Sequence, residues 1–246
     1  MKNIWRKRTA LSTRLPALLL AGSCLSAVQA AMPGDTHHND AGFFDIHVCN
    51  WPGRPTFFMP LFSTARFNEV QSIEILTPSG ELLVELDLER YRTIKGKKTA
   101  DKRVFIRELD VPPAAENGWY TARTKLANGE EYEARDYVIL HTLPQVSGQV
   151  PAHNEEVIGI PEKLSWDEVP GANFYQVFIR DLWDDSRLIH TSKLVTRPEL
   201  ELPPGLLQSG GYYSWIIHAR DTNSHILLGD FNHGSLNKPA TFTISD

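Results

Sequence analysis

Two stretches of the C-terminal half alternate apolar and polar residues at period two: Leu164-Ser-Trp-Asp-Glu-Val-Pro-Gly-Ala-Asn-Phe-Tyr-Gln-Val-Phe-Ile-Arg180 and Gly211-Tyr-Tyr-Ser-Trp-Ile-Ile-His-Ala-Arg-Asp221. Successive side chains of a strand point to opposite faces, so this alternation predicts half-buried antiparallel strands, the first stretch turning through Pro170-Gly171. The predicted strands of this half lie near Lys163–Asp167, Phe174–Asp181, Leu188–Ser192, Glu199–Leu202, Tyr212–Arg220 and Ala240–Ile244. The inward set is Trp166, Tyr175, Val177, Ile179, Tyr213, Trp215, Ile217 and Ala219, and a register slip of one would exchange the faces. Burying each large apolar side chain stabilises by about 1.5–3 kcal/mol, so these aromatics are read as core first.

The same alternation runs from Phe43 to Leu143 with turn residues between the segments. Phe43–Val48 alternates. Pro55–Phe62 is apolar but flanked by prolines, which fits an edge strand or a loop. Ser72–Leu76 and Glu81–Asp87 flank Thr77-Pro-Ser-Gly80, a turn with Pro and Gly where a hairpin needs them. Val104–Val111 ends at Pro112-Pro113. Gly118–Leu126 and Glu130–Leu140 are joined by Ala127-Asn-Gly129, and Asn-Gly tolerates positive φ at both turn positions. Six or seven short strands in about a hundred residues point to an immunoglobulin-like β-sandwich, and no long amphipathic helix is evident.

Trp166, the Pro170-Gly-Ala-Asn-Phe-Tyr175 corner and the Tyr212-Tyr-Ser-Trp215 strand ending Ala219-Arg-Asp221 resemble the B, C and F strands of a fibronectin type III domain. The resemblance covers about the last hundred residues and implies a fold rather than an activity. The expected architecture is all-β, with two tandem immunoglobulin/fibronectin type III-like sandwiches following a signal peptide. Its parts are 1–30 (signal peptide), 31–42 (flexible leader, small and polar), 43–143 (immunoglobulin-like) and 144–246 (type III-like), the boundary falling in Thr142-Leu-Pro-Gln-Val-Ser-Gly-Gln-Val-Pro151. That linker is short, so the halves are expected to touch or to hold a restricted angle.

Residues 1–30 combine basic Lys2, Arg6, Lys7, Arg8 and Arg14 with an apolar run from Leu15 and a small-residue ending Val28-Gln-Ala30. This is a secretory signal pattern with expected cleavage after Ala30. The apolar run is shorter than the ~20 residues of a membrane anchor, so the mature chain is expected to be periplasmic or secreted. Ala21-Gly-Ser-Cys24 resembles a lipobox, which would instead anchor the protein by a lipid on Cys24. Cleavage leaves 20 Lys plus Arg against 30 Asp plus Glu, or minus 10. That balance disfavours nucleic acid and anionic head groups as partners. It also leaves Cys49 alone, with no intramolecular disulfide.

Candidate chemistry is sparse. Asp45, His47 and Cys49 share a strand face at i, i+2 and i+4, so an oxygen, an imidazole and a thiolate point the same way, as zinc or copper ligands do. A strand presents two adjacent ligands to one ion, and a further ligand such as His37, His38 or His141 would be needed. His37-His-Asn-Asp40 is a second metal-like group. The nineteen residues from Asp221 to Pro239 exceed what a hairpin closure needs, and long loops concentrate function. In the type III resemblance this is the connection between the F and G strands, and Asp221, Asn223, His225, Asp230, Phe231, Asn232 and His233 are its candidate contact residues. Trp183, between carboxylates at a predicted turn, and Trp51, before Pro52-Gly53, are candidates to stack on a sugar or anchor a protein.

No nucleophile elbow, His-Glu-x-x-His helix, Walker loop or dinucleotide fingerprint is present, so no cofactor is expected. The leading expectation is a non-enzymatic envelope protein that binds another protein or a polysaccharide through sandwich loops. A periplasmic assembly chaperone is the first alternative, on the faint similarity of Val104-Phe-Ile-Arg-Glu-Leu-Asp-Val-Pro-Pro113 to a strand of that two-domain family. The family's basic subunit-binding residues have no clear counterpart here. A metal-dependent hydrolase is the second.

Overall fold

The computed structural model describes residues 35–96, 98–222 and 232–245. Among them the regular elements are all strands: β1 (Phe43–Asn50), β2 (Phe57–Thr64), β3 (Val70–Leu76), β4 (Leu82–Glu85), β5 (Tyr91–Ile94), β6 (Lys102–Ile106), β7 (Leu109–Asp110), β8 (Gly118–Leu126) and β9 (Glu131–Val138) in the first half. The second half holds β10 (Glu155–Ile158), β11 (Lys163–Ser165), β12 (Phe174–Asp181), β13 (Arg187–Thr191), β14 (Glu199–Glu201), β15 (Tyr212–Arg220), β16 (His233–Leu236) and β17 (Ala240–Ser245). The protein is therefore all-β, and no described helix is long and apolar enough to cross a membrane.

Alternation placed the core correctly. All eight residues expected to point inward belong to one hydrophobic cluster, with Leu143, Leu164, Phe242 and Ile244 among their neighbours. A second cluster packs Phe44, Ile46 and Val48 of β1 against Phe58, Phe62, Ile73, Ile75, Tyr120 and Ala122. In each cluster a tyrosine at the start of a strand ties back to the preceding chain. Tyr120 Oη donates to Glu116 O at 3.1 Å, and Tyr213 Oη accepts from Gln208 N at 3.0 Å.

One sheet runs β10-β17-β15-β16-β1-β2-β6-β5, with β12 on the other edge of β15, β13 beyond it and β7 beside β2. A four-stranded sheet β4-β3-β8-β9 and the pair β11-β14 complete the strands. The described residues from Asp35 onward form a single compact unit, so both clusters belong to one body.

β2 corrects the edge-or-loop expectation for 55–62. It is buried throughout and lies between β1 and the β6/β7 pair. The register Leu61↔Ile106 continues to Phe58↔Leu109, which sets Pro60 opposite Arg107. Pro60 has no N–H to donate, although its carbonyl accepts from Arg107 N at 3.2 Å. One absent donor thus splits the neighbouring strand into β6 and β7 and leaves β2 intact.

The 221–239 connection is also more than a loop. Its residues 233–236 are β16, which pairs antiparallel with β15 (His218↔Leu236, Arg220↔Gly234) and parallel with β1 (Val48↔His233, Asn50↔Ser235). This one short strand makes the two halves a continuous sheet. β15 meets β17 through Tyr212–Trp215 and β16 through His218–Arg220. Asn237 fills the step between them, accepting Ile217 N on Oδ1 at 2.6 Å. The linker is held to the same seam: Asn50 Nδ2 donates to Leu143 O at 2.9 Å and Ser235 Oγ to Pro144 O at 2.7 Å.

Residues 35–42, expected to form a leader, are packed where they are described. His37 and Ala41 are buried, and His38 bridges to Phe43. Composition hid this because two of the polar contacts, Arg135 N to Thr36 O and His37 to Asp136, come from residues 99 positions away.

Candidate functional site

Among the described residues, the seam collects most of the buried ionisable side chains. Along Phe44–Ile46, β1 has no strand on its outer edge, and two substitutes close it. His37 O accepts Phe44 N at 2.9 Å, and Asp136 Oδ2 accepts Ile46 N at 2.9 Å. Asp136, from β9, also lies 3.2 Å through Oδ1 from His37 Nε2, while His37 Nδ1 is 3.0 Å from Asp35 Oδ1. An imidazole between two buried carboxylates offsets their desolvation, which an isolated charge in this position could not bear. Burial raises the Asp35 carboxyl, but hydrogen bonds from the His37 amide and the His38 and His37 rings outweigh it and hold the group below its ordinary value.

A second clasp joins the end of β15, the start of β16 and the chain just after β9. Asp221 Oδ1 accepts the amides of Asn232 (3.1 Å) and His233 (2.8 Å), while Oδ2 contacts His233 Nδ1. The other ring nitrogen of His233 lies 2.7 Å from Ile139 O, and Asn232 Nδ2 donates to the same carbonyl at 3.0 Å. His141 stacks edge-on against His233 with ring centres 5.4 Å apart.

The third group lies on the sheet face turned away from the two clusters. Asp45, His47 and Cys49 do share this face, as the i, i+2, i+4 spacing predicts, and all are buried. Asp45 Oδ2 is 2.6 Å from His47 Nε2. Across the seam Arg220 donates from Nε to His218 Nδ1 and from Nη2 to Gln176 Oε1, both at 2.9 Å. Gly234 allows this arrangement, because a Cβ there would stand 2.4 Å from His218 Nε2.

Burial drives His47 toward neutrality, down to about 3; the Asp136 charge opposes this and Arg220 reinforces it. A neutral ring still donates Nε2–H to Asp45, so the pair needs no imidazolium. His218 is lowered well below its ordinary value by burial and then by Arg220. Burial, with Glu108 adding to it, pushes the Cys49 thiol far up, so it is held protonated and unreactive.

The structure therefore brings Asp45, His47, Asn232, His233 and Asp221 to one seam but separates other candidates from it. Among the described residues no three His, Cys, Asp or Glu side chains are grouped to hold a metal ion. Asn223, His225, Asp230 and Phe231 lie outside the described residues. Trp51 is buried, its ring 4.9 Å from Phe57, rather than presented on a turn. Trp183 is 72% exposed. Sequence reading missed Asp35, Asp136, Gln176, His218 and Arg220. On β15, His218 and Arg220 alternate with core residues and so read as a solvated face; only the approach of β16 and β1 buries them.

The class defined by these observations is an all-β protein with a continuous sheet and a polar seam. No protein-family model matches the chain, and no curated protein matches it. Among solved structures it is similar to dimeric latent PorU from Porphyromonas gingivalis, with 12% identity and a TM-score of 0.29, over 88% of this chain and 21% of that one. It is also similar to the native conformation of E. coli alpha-2-macroglobulin, with 14% identity and a TM-score of 0.24, over 87% of this chain and 14% of that one. The chain thus spans a small part of either protein.

Proposed function

We propose that this is an exported, non-enzymatic binding protein of the cell envelope, made of two tandem immunoglobulin/fibronectin type III-like sandwiches that recognise a ligand through a hairpin tip. The separate hydrophobic clusters and the tyrosine tie in each half support the tandem reading. The signal pattern of residues 1–30 supports export.

One observation carries the functional part: Trp183 is 72% exposed although its surroundings hold it in place. Leaving an indole in water forgoes about 1.5–3 kcal/mol of burial, and exposed, ordered aromatics are typical binding anchors. The His, Asp and Arg side chains that otherwise suggest chemistry are buried in the seam, where they hold strands together. In this reading Asp221, Asn232 and His233 are joint residues.

The test is capture from native envelope extracts by the chain beginning at Ala31, intact and as Trp183→Ala. The reading predicts an envelope component retained by the intact chain and lost with the substitution. Equal capture by both chains, or none by either, contradicts it.

A further inference from the structure

We infer that Trp183, braced on its flank by Tyr212, forms the stacking floor of a site for an uncharged, pyranose-based polysaccharide. This rests on the binding-protein reading above and names its ligand class.

Trp183 occupies the tip of the β12–β13 hairpin. Its amide donates to Asp181 Oδ1 at 2.9 Å and its indole N–H to Gly210 O at 3.2 Å. The ring lies 5.6 Å from that of Tyr212, tilted by 58°. The tip itself is fixed. Leu182 N donates to Tyr212 O at 2.8 Å, Arg187 N to Asp184 O at 2.7 Å, and Arg180 Nη1 to Ser186 O at 2.6 Å. An anchor ordered before binding has little rotamer freedom left to lose.

The polar atom of the indole is already engaged, so the surface offered to a ligand is apolar ring. Beside the half-buried Leu182, the neighbouring chain supplies mainly hydrogen-bonding groups: the exposed Asp184, Asp185 and Ser186 on the tip, and the exposed Gln208 shortly before Gly210. Asp184 is itself steadied by Arg187 Nε at 2.5 Å. None of the other large exposed apolar side chains belongs to residues 181–187 or 208–214. A protein hot spot is sealed by a surrounding ring of contacts that excludes water; an apolar floor rimmed by acceptors instead matches a sugar, with its C–H face and its hydroxyl donors. The tip's three carboxylates, Asp181, Asp184 and Asp185, outnumber its two guanidiniums, Arg180 and Arg187, and this balance disfavours uronates and phosphates in favour of an uncharged polymer.

The test is native gel electrophoresis of the chain from Ala31 through gels containing laminarin, dextran, mannan or hydroxyethylcellulose, with polygalacturonate as the anionic comparison. At least one neutral polymer should retard the protein, polygalacturonate should not, and Trp183→Ala should weaken the retardation about tenfold or more. Trp119→Ala, which removes another exposed indole, should leave it unchanged. Retardation by none of the neutral polymers, or equal retardation of Trp183→Ala, overturns the inference. If Trp183→Ala still abolishes capture of an envelope protein in that case, the binding-protein reading survives and only the ligand class falls; if it abolishes neither, both fall.

Discussion

Acidification should weaken the fold well above the pH at which carboxylates titrate, and His47 sets the scale. Its imidazole is held neutral in the folded protein, with its titration lowered from 6.5 to about 3 by burial. Below pH 6.5 the unfolded chain binds a proton that the folded chain refuses. The associated stability is therefore complete above about 6.5 and is lost progressively as the pH falls toward 3. Each unit of pH within that window costs about 1.4 kcal/mol, so moving from about pH 7.5 to about pH 5 should remove about 2 kcal/mol through His47 alone. His218 is shifted in the same direction by the same cause and adds to the loss. Asp35 does not contribute over this range. Its folded-state value is depressed below 3.8, so its stabilisation persists until the pH drops through the carboxylate range. Urea unfolding followed by tryptophan fluorescence measures the difference directly. His47→Gln should shrink the drop between the two pH values by about 2 kcal/mol, whatever it does to stability at neutral pH. Equal stability at both pH values, or an unchanged drop in His47→Gln, would show that His47 is not the group responsible.

Three other outcomes follow from the seam. Asp136→Ala strands the Ile46 amide and one side of His37, and should cost about 3–5 kcal/mol in urea unfolding, with Asp136→Asn recovering part because its carbonyl can still accept the amide. Gly234→Ala drives a methyl to 2.4 Å from His218 Nε2 and should destabilise by about 1–3 kcal/mol and expose Cys49 to a thiol reagent, whereas Gly53→Ala, whose cost is the strain of a φ of +77° in a turn with open space around it, should leave Cys49 protected. Cys49 should resist a thiol reagent in the native protein and react at the rate of unfolding; rapid reaction under native conditions would show that the seam opens.

Legibility in the sequence followed the range of the interactions. β8, β12 and β15 were readable to the residue because their alternation and turns are local. At the hairpin after β8 only Gly129 takes positive φ, at +89°, while Asn128 stays in the ordinary region, so the turn was found although its type differs. Pro60 misled because a proline is an edge signal only when its missing donor cannot be accommodated by a break in the neighbouring strand. β16 was unreadable, since His233-Gly-Ser-Leu236 has no alternation and becomes a strand by lying between β15 and β1. The seam was hidden for the same reason. Asp136 meets Ile46 and His37 across 90 and 99 residues, and nothing in the run Glu131–Val138 marks one carboxylate as buried.

The most direct test compares envelope capture by Trp183→Ala with capture by His233→Gln, both starting at Ala31 and both assayed at a temperature where unfolding curves show them folded. The hairpin-tip substitution should abolish capture, and the seam substitution should lower stability while leaving capture intact. Capture lost with His233→Gln and retained with Trp183→Ala would place recognition in the seam and rule out the hairpin tip as the binding site.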